Sequence, residues 1–533
     1  MRSEYALEPE ISDRPAASRG RHIALRIDPS QTRRAHHEIA TRLAATGARV
    51  SLVTGGTNGA LPPAVDLLLE LERIVYRLRG PRPSDRWSWD ADTPPEASLD
   101  GRPDLVFDLS GAASAPAACP VIRPLFDGAA GEAALLGALA AGRMPIIDLE
   151  DVEAGVIVAR GAPRAENAAT MLEAFDCVLA RVVTLVTAIA RGVRPLAPVE
   201  RSAARPIRLR EMAAFETKSL ARSVVRRLFY LCCHAPHWRM CWRYVDGPDL
   251  WDTRTLAGSS WNVMPDPGFR CYADPFPFAH EGRTYVFVED FDHRSGKAVI
   301  SVIPFAEDGP AGPAEPVLEE PWHLSYPFLL TERGQVWMIP ESSSAHTIDL
   351  YRADPFPHRW VREATLVSGI EASDATVVRH GGSLWMLATT RDGAGSWSDT
   401  LSIFSAPDLL GPWRPHPLNP VLMDQASARP AGAMFVRDGK LWRPVQDCTH
   451  GYGTGIGLAE IVQLDHDGFE QKVHAVLRPD PRWPGRRLHT LNRAGRLEVI
   501  DGSAYSPRSR LLARGLQAWS GRREPPDHWP RST

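Results

Sequence analysis

The chain has 533 residues, of which 44% are hydrophobic and 23% are charged, and its net charge is −3. This length exceeds what one hydrophobic core usually supports, so we expect two folded domains. The nearly balanced charge excludes a general affinity for nucleic acid, and no nucleic-acid partner is predicted. Residues 1–20 are polar and lack an apolar core, which predicts a disordered tail rather than a signal peptide. The absence of any run of about 20 apolar residues predicts no membrane-spanning segment.

Strand and helix patterns alternate in the next part of the chain. The strand patterns cover residues 22–27, 49–53, 104–109 and 144–148, and the helical patterns cover residues 31–45 and 166–191. Gly47 stops the first helix, and the second helix has the spacing of an amphipathic helix. This alternation predicts an α/β domain of the Rossmann type over residues 21–195.

The turn after the first strand lacks a phosphate-binding pattern. Residues 28–31 contain no glycine, and Gly55, Gly56 and Gly59 follow the second strand without the order of a dinucleotide fingerprint. A nucleotide cofactor is therefore not supported, and we predict that the protein uses no cofactor.

Residues 196–237 read as a basic helical connector between two domains. Eight Arg and Lys residues between positions 200 and 227 stand against three Glu residues, and apolar residues recur at helical intervals. One interpretation is a helix that packs on the next domain and leaves its basic face in solvent. The alternative is peripheral contact with anionic lipid headgroups.

A hairpin pattern recurs in the second half of the chain. The stretch 272–287 has a carboxylate, a short apolar run, a glycine turn at Gly282 and an aromatic return strand. Four related stretches follow at intervals of roughly 50–60 residues, which is typical of all-β repeat proteins. We predict a five-bladed β-propeller over residues 238–502, followed by a C-terminal tail at 503–533. A β-sandwich with accidental hairpin similarity is the alternative.

The repeat predicts one funnel near the propeller axis, because the innermost strand of each blade begins there on one face. The residues at the five strand starts are Asp274, Tyr326, Asp374, Arg429 and His489. The return strands bring further side chains to the same face, namely Glu289, Glu341, Thr389, Gln446 and Asp447. Carboxylates crowded in a partly dry funnel raise one another's pKa, which is one way to provide an acid and a base at neutral pH.

The seven cysteines lack the spacing of a metal site, and Cys232, Cys233 and Cys241 lie close together in the sequence. We therefore predict no metal, and we expect reduced, buried thiols in a cytoplasmic protein. Residence at the inner face of a membrane is the alternative location if the connector binds lipid.

The motif Ala273-Asp274-Pro275, followed by a glycine turn and an aromatic strand, resembles the first blade of propeller glycosidases of the arabinanase and invertase clans. The resemblance implies that Asp274 is the base or nucleophile and that Asp374 tunes it. Those enzymes commonly carry an acidic residue in the fourth blade where this chain has Arg429, so Glu341 is the remaining candidate acid. Simple hydrolysis needs two opposed carboxyl groups, and the substitution argues against it.

A second set of motifs is similar to the N-terminal propeller of the glucosamine inositolphosphorylceramide transferase family. The motifs are 272–276, 325–327, 340–343, 373–376, 428–432 and 446–448. The resemblance implies glycan or glycolipid metabolism. Residues 104–111 resemble the strand before the catalytic loop of formyltransferases, but no histidine lies between positions 110 and 161, so we expect a degenerate formyltransferase-like domain.

These features favour an enzyme that acts on a sugar, a sugar phosphate or a glycolipid in the propeller funnel, by glycosyl transfer or glycoside processing. We expect Arg429 to lie beside Asp274 and keep it ionised, and Arg429 with His489 to hold an anionic substituent. Two alternatives stay open. One is a carbohydrate-binding protein without catalysis that uses Trp385, Trp442 or Tyr452 as stacking platforms, and the other is formyl or acyl transfer in the N-terminal domain.

Overall fold

The structure is a computed structural model that describes most of the chain. The described residues are 20–56, 61–89, 102–112, 119–165, 170–190, 192, 196–203, 207–258, 260–479, 483, 486–504 and 506–509. Nearly all of the predicted N-terminal tail and most of the predicted C-terminal tail lie outside these residues. Among the helices described, none is both long and apolar enough to cross a bilayer.

The described residues of the N-terminal part form eight strands and four α-helices. The strands are β1 (His22–Ile27), β2 (Arg49–Thr54), β3 (Leu105–Asp108), β4 (Val121–Phe126), β5 (Ala129–Ala130), β6 (Ile147–Asp151), β7 (Val156–Gly161) and β8 (Ala197–Pro198). The helices are α1 (Arg34–Ala45), α2 (Pro63–Val75), α3 (Glu132–Ala140) and α4 (Met171–Ile189).

All eight strands join one sheet in the order β2-β1-β3-β4-β6-β7-β8, with β5 paired to β4. Strands β1 to β4 pair in parallel. From β4 to β8 the neighbours are antiparallel. The sheet is therefore mixed, and a Rossmann-type or formyltransferase-like assignment for this domain stays a prediction.

Two N-terminal elements differ from their prediction. The strand expected at 144–148 is β6, which begins three residues later at Ile147. Helix α4 is not amphipathic as expected, because 16 of its 19 residues are buried. It packs against α1, α2 and α3 and against the sheet, and its Arg181 reaches the second domain. A helix covered on every side has no solvent face to keep polar.

The connector contains α5 (Leu209–Cys232), followed by β9 (Cys233–His234). Only Met212 and Ser219 of this helix are buried. Five apolar residues of its second half are exposed, namely Leu220, Val224, Val225, Leu228 and Leu231. The interpretation in which this apolar face packs on the propeller is therefore wrong for the second half of α5.

The remaining strands form five sheets around one axis, which confirms the predicted five-bladed propeller. Blade one consists of β12 (Arg270–His280), β13 (Arg283–Asp292), β14 (Lys297–Ala306), β15 (Gly309–Pro310) and β16 (Glu315–Leu318). Blade two consists of β17 (Ser325–Glu332), β18 (Gln335–Glu341), β19 (Thr347–Ala353) and β20 (Trp360–Ser368). Blade three consists of β21 (Glu371–His380), β22 (Ser383–Arg391), β23 (Thr400–Ala406), β24 (Arg414–Pro415) and β25 (Leu422–Met423).

The last two blades complete the ring. Blade four consists of β26 (Phe435–Arg437), β27 (Lys440–Asp447), β28 (Gly455–Leu464) and β29 (Phe469–Leu477). Blade five joins β30 (Leu488–Ala494) and β31 (Leu497–Ser503) to the earlier β10 (Trp238–Tyr244) and β11 (Asn262–Val263). The pairing of β10 with β31 closes the ring, because a strand from before blade one completes the last blade. The short β32 (Ser506–Pro507) pairs with β9 and fastens the end of α5.

The N-terminal domain contacts blade three through a buried ion pair. Nη2 of Arg181 donates to Oδ1 of Asp399 at 2.5 Å, and both side chains have no exposed area. The second carboxylate oxygen of Asp399 accepts the backbone N–H of Arg164 at 2.9 Å. Met423 of β25 packs into the N-terminal core beside Gly161. The loop 392–399 is thus held by the N-terminal domain.

The Arg181–Asp399 pair predicts a large and specific effect on stability. Arg181→Met should lower the free energy of unfolding by about 3–5 kcal/mol, because it leaves the Asp399 carboxylate buried without its cation. Urea unfolding of the full chain measures this. The matched control is Arg496→Met, whose pair with Asp246 is exposed and should contribute almost nothing. Equal unfolding midpoints for the two variants would contradict the prediction. The double variant Arg181→Met with Asp399→Leu should regain much of the lost free energy of unfolding, because it removes both buried charges.

A candidate active site in the propeller funnel

The innermost strands of three blades carry the same backbone distortion. The pairing register shifts after Ala273 in blade one, after Ser325 in blade two and after Ser373 in blade three. The next residue in each case has a positive φ angle: 47° for Asp274, 43° for Tyr326 and 58° for Asp374. Non-glycine residues rarely adopt this conformation, and such strain is found where a side chain has a specific task. A β-bulge of this kind turns these side chains out of the regular strand alternation.

Asp274 is buried in a set of hydrogen bonds from two neighbouring blades. Its Oδ1 accepts the Thr490 hydroxyl at 2.5 Å, and its Oδ2 accepts the backbone N–H of Tyr326 at 3.2 Å. Its own N–H donates to the carboxylate of Asp501 at 2.9 Å. Burial raises the pKa of Asp274 to about 7, opposed by the charge of His489 and assisted by Glu289 and Asp501. Such a carboxyl group can take up or release a proton near neutral pH.

His489 is the cation beside Asp274. Its Nδ1 lies 2.7 Å from Oδ2 of Asp501 and 3.4 Å from Oδ1 of Asp274. Its Nε2 lies 2.6 Å from the Tyr452 hydroxyl, and its ring stacks on Trp238 with centroids 4.4 Å apart. Burial would lower the pKa of His489, but Asp501 and Asp274 outweigh burial and raise the pKa to about 10. The imidazole therefore carries a positive charge at neutral pH.

Arg429 pairs with Asp374, so the expected pairing with Asp274 is wrong. Its Nε donates to Oδ2 of Asp374 at 2.6 Å and its Nη2 to Oδ1 at 3.3 Å. Gln446 donates to the same carboxylate at 3.3 Å. Burial raises the pKa of Asp374, and the Arg429 guanidinium opposes this shift. The correction has a geometric reason, because Arg429 and Asp374 belong to adjacent blades whereas blade five lies between Arg429 and Asp274.

Three side chains stand at equivalent places in the return strands, as predicted. Glu289 pairs with Ala273, Glu341 with Ser325 and Thr389 with Ser373. Oε1 of Glu289 lies 3.3 Å from Nε2 of His323. Oε1 of Glu341 accepts the Ser343 hydroxyl at 2.9 Å, whereas its Oε2 has no hydrogen-bond partner among the described residues. The Thr389 hydroxyl also lacks one among them. A buried polar atom in this state is satisfied by water or by a ligand.

Two residues that were predicted to line the funnel, Tyr326 and Asp447, bind other parts of the propeller instead. The fully buried Tyr326 crosses towards blades three and four, where its hydroxyl accepts the Gly432 N–H at 2.8 Å and lies 2.9 Å from the Thr376 hydroxyl. Asp447 accepts the Thr449 N–H at 2.9 Å and binds Arg478, and none of these hydrogen bonds connects it to Asp274, Asp374 or Gln446. Adjacent strand residues face opposite sides, so Gln446 and Asp447 cannot both face the funnel.

Sequence reasoning missed four members of this site. Thr490 and Asp501 bind Asp274 directly, His323 binds Glu289, and the carbonyl oxygen of Trp397 accepts a hydrogen bond from Arg429 at 3.0 Å. Asp501 was detectable, because it occupies the return strand of blade five.

A five-bladed propeller whose axis holds buried carboxylates paired with Arg and His is the class that the fold and the site define. Residues 262–501 match the family model described as glucosamine inositolphosphorylceramide transferase 1, N-terminal. The chain is 31% identical over 226 residues to glucosamine inositolphosphorylceramide transferase 1 of Arabidopsis thaliana, an alignment that covers 41% of this chain and 29% of that protein. The protein of the same name from Oryza sativa subsp. japonica is 29% identical over 245 residues, covering 43% and 33%.

The chain therefore spans about a third of the length of these relatives. The resemblance of the propeller to this family is confirmed over the matched residues, whereas the formyltransferase-like N-terminal domain stays a prediction. Solved structures with a similar shape include a thermostable family-43 glycoside hydrolase, with 14% identity and a TM-score of 0.31 over 42% of this chain and 84% of that one. A family 117 glycoside hydrolase of Zobellia galactanivorans has 14% identity and a TM-score of 0.32 over 50% and 90%.

The charge on His489 predicts how stability depends on pH. A raised pKa means that the folded state binds the proton more tightly, so the stabilisation is complete below pH 6.5 and is lost as the pH rises towards 10. Each pKa unit corresponds to about 1.4 kcal/mol, so the loss is on the order of a few kcal/mol. His489→Gln should be less stable than the wild type at pH 6.5 and should show a flatter decline up to pH 10.

Thermal melting over this pH range measures the effect. The titratable groups that face the His489 imidazole are Asp274, Asp374, Asp501 and Tyr452. The control is His346→Gln, because His346 is largely exposed at the end of a turn. A decline of equal slope in the wild type and in His489→Gln would refute the role of this imidazole.

Proposed function

We propose that this protein is a glycan- or glycolipid-processing enzyme whose active site is the propeller funnel. The observation that carries the proposal is the pair of buried carboxylates, Asp274 and Asp374, held in strained backbone at equivalent places of two blades. Burying carboxylates costs free energy, and regular strands would avoid the strain, so their presence favours a chemical role. The match of the propeller to a family named for a glycosyl transfer supports the class of substrate.

Within this proposal, Asp274 is the base or nucleophile, since burial places its pKa near neutrality. Glu341 is the acid, since its buried Oε2 has no hydrogen-bond partner in the described residues and is therefore free to contact a substrate. Asp374 tunes the site through Arg429, which it binds with both oxygens. Propeller glycosidases usually carry an acidic residue where this chain has the Arg429 guanidinium. Glycosyl transfer to a hydroxyl acceptor therefore fits this site better than simple hydrolysis.

The charges of the funnel favour a neutral sugar or an amino sugar over an anionic group. Arg429 and His489, expected to bind an anion, are each neutralised by a carboxylate. Glu289 and Glu341 are partly exposed at the rim and offer acceptors for hydroxyl or ammonium groups. The partly exposed Tyr452 offers a ring face, whereas Trp385 is buried in its blade. A sugar phosphate is thus less favoured than a sugar or the glycan part of a glycolipid.

Two other functions remain as alternatives. A carbohydrate-binding protein without catalysis would bind glycans equally well with and without an ionised Asp274. Formyl or acyl transfer would use a cleft in the N-terminal sheet at the ends of β1 and β3, lined by Asp28, His36, Ser110 and Glu132. Oδ2 of Asp28 has no hydrogen-bond partner in the described part of the chain, which is the observation that favours this cleft.

The catalytic proposal predicts separate effects on turnover and on the fold. Asp274→Asn and Glu341→Gln should each reduce kcat by at least about 100-fold, because each removes a proton-transfer group. Both variants should keep the cooperative fold, since amide and carboxyl groups have similar size, although Asp274→Asn also removes one of the two carboxylates that face His489. The matched control is Asp438→Asn, because Asp438 also has a positive φ of 52° but lies in an exposed turn.

Turnover is measured with sugar nucleotides as donors and with amino sugars, neutral sugars and glycolipids as acceptors, and binding is measured by calorimetry on the same variants. In the wild type, kcat/KM should rise with pH until about 7, where the Asp274 base becomes ionised. Unchanged turnover in Asp274→Asn would rule out the funnel as a catalytic site, and glycan binding without any turnover would favour the binding alternative.

We also propose that α5 contacts an anionic membrane surface, which would bring a lipid-linked glycan to the funnel. The apolar residues Leu220, Val224, Leu228 and Leu231 recur at helical spacing and are exposed. Arg222, Arg226 and Arg227 flank them and are exposed as well. An exposed apolar stripe beside basic residues has the complementarity that an anionic bilayer surface requires.

Vesicle sedimentation tests this proposal. Vesicles with anionic lipid should sediment the wild type, neutral vesicles should not, and moderate salt should release it because the attraction is screened. Arg226→Glu with Arg227→Glu should abolish binding, whereas the control Arg283→Glu with Arg359→Glu, at exposed sites on the propeller, should not. Equal sedimentation of both double variants, or self-association of the wild type through α5 without lipid binding, would refute it.

A further inference from the structure

We propose that Cys271, His237 and His293 form a structural zinc site, completed by His234, which fastens the end of α5 to blade one. This site is separate from the proposed catalytic funnel and does not depend on the function proposed above. The three residues come from different elements: Cys271 from β12, His237 from the segment before β10 and His293 from the turn after β13. Thiolate and imidazole are the ligands that Zn²⁺ prefers in structural sites.

The distances suit a tetrahedral ion. The ligand atoms of Cys271, His237 and His293 all lie within 4.8 Å of one another. Nδ1 of His237 and Nε2 of His293 are 3.0 Å apart. With Zn–N bonds of about 2.0–2.1 Å and a Zn–S bond of about 2.3 Å, a tetrahedral site separates its ligand atoms by roughly 3.3–3.7 Å. Shifts of a few tenths of an ångström to about one ångström therefore bring the three atoms to one ion.

The groups around these ligands have the arrangement of an outer coordination shell. Nε2 of His237, the ring nitrogen that faces away from His293, lies 3.3 Å from Oδ2 of Asp266. Asp266 is itself held by the N–H of Gly268 at 2.7 Å. The N–H of Trp238 hydrogen-bonds to the Cys271 sulfur. A carboxylate behind a histidine and an amide on a thiolate are the contacts that orient metal ligands in proteins.

The fourth position is assigned to His234, which lies beside His293 but outside the group of three whose ligand atoms are within 4.8 Å of one another. Its ring centroid lies 4.7 Å from that of His293, and its Nδ1 is buried without a hydrogen-bond partner among the residues that the structure describes. Because His234 directly follows α5, a metal bond to it would fix the end of that helix. Four protein ligands leave no open position for a substrate, so the ion would have a structural role.

Spacing in the sequence does not indicate this site, since its ligands stand at positions 234, 237, 271 and 293. The expectation of no metal was based on the cysteines alone. Without an ion, His237 and His293 can satisfy each other by one hydrogen bond, but this leaves Nδ1 of His234 without a partner. An ion bound by Cys271, His237 and His293 would account for the close approach of these three side chains.

Metal content and cobalt spectroscopy of the full chain test the proposal. The purified protein, after removal of loosely bound metal and titration with Zn²⁺, should hold one zinc per chain. Replacement by Co²⁺ should give the absorption of a tetrahedral site with a thiolate-to-cobalt charge-transfer band. Cys271→Ser and His293→Gln should reduce zinc affinity at least about tenfold, and Cys271→Ser should abolish the charge-transfer band.

The matched control is Cys241→Ser, which changes a buried cysteine of β10 outside the cluster and should keep both the zinc and the band. His234→Gln should retain metal with lower affinity and an altered cobalt spectrum. A wild-type chain that binds no zinc on titration would overturn the proposal, as would full retention of zinc and of the thiolate band in Cys271→Ser. Circular dichroism shows whether each variant is folded, and loss of zinc supports the proposal only in variants that remain folded.

Discussion

The funnel depends on the β-bulge near the start of the innermost strands. In blades one, two and three this distortion forces one residue into the left-handed region and turns its side chain or its backbone towards the axis. The strained conformation is tolerated because each bulged residue forms hydrogen bonds to a neighbouring blade. Asp274 binds the N–H of Tyr326, and Asp374 binds Arg429. Neighbouring blades therefore stabilise one another's strained positions, and the ring must be closed for the site to exist.

Ring closure and the site are linked at blade five. Strand β10 comes from the segment before blade one and pairs with β31, which carries Asp501. Asp501 accepts the N–H of Asp274 and binds His489, so it joins the first and last blades at the level of the carboxylates. Opening this blade would leave several buried charged groups without partners, which is costly in a low-dielectric interior. The same contacts therefore help to close the fold, and they act on the pKa of Asp274, which burial raises.

The N-terminal domain is connected to the funnel through the loop 392–399. Arg181 of α4 holds the loop 392–399 through Asp399 and through the carbonyl of Ser396. The carbonyl of Trp397 in the same loop accepts a hydrogen bond from Arg429, which binds Asp374. This chain of contacts gives the N-terminal domain a structural role at the rim of the propeller.

The sequence by itself determined the repeat and the positions of the carboxylates within it. Equal spacing between the glycine turns and the aromatic return strands indicates one structural unit repeated, because each blade must bury the same faces against its neighbours. That alignment was sufficient to place Glu289, Glu341 and Thr389 at equivalent positions, and the pairing register agrees.

Only the tertiary structure decided which charges pair and which residues from distant segments meet. Arg429 binds Asp374 because their blades are adjacent, and an alignment of the repeats does not give the distance between these two side chains. Tyr326 points across the axis because its strand is bulged, and Asp447 turns away because it alternates with Gln446. His237, Cys271 and His293 meet because ring closure brings β10 beside blade one. Side-chain direction and contact between distant segments depend on bulges and on closure, neither of which local sequence patterns specify.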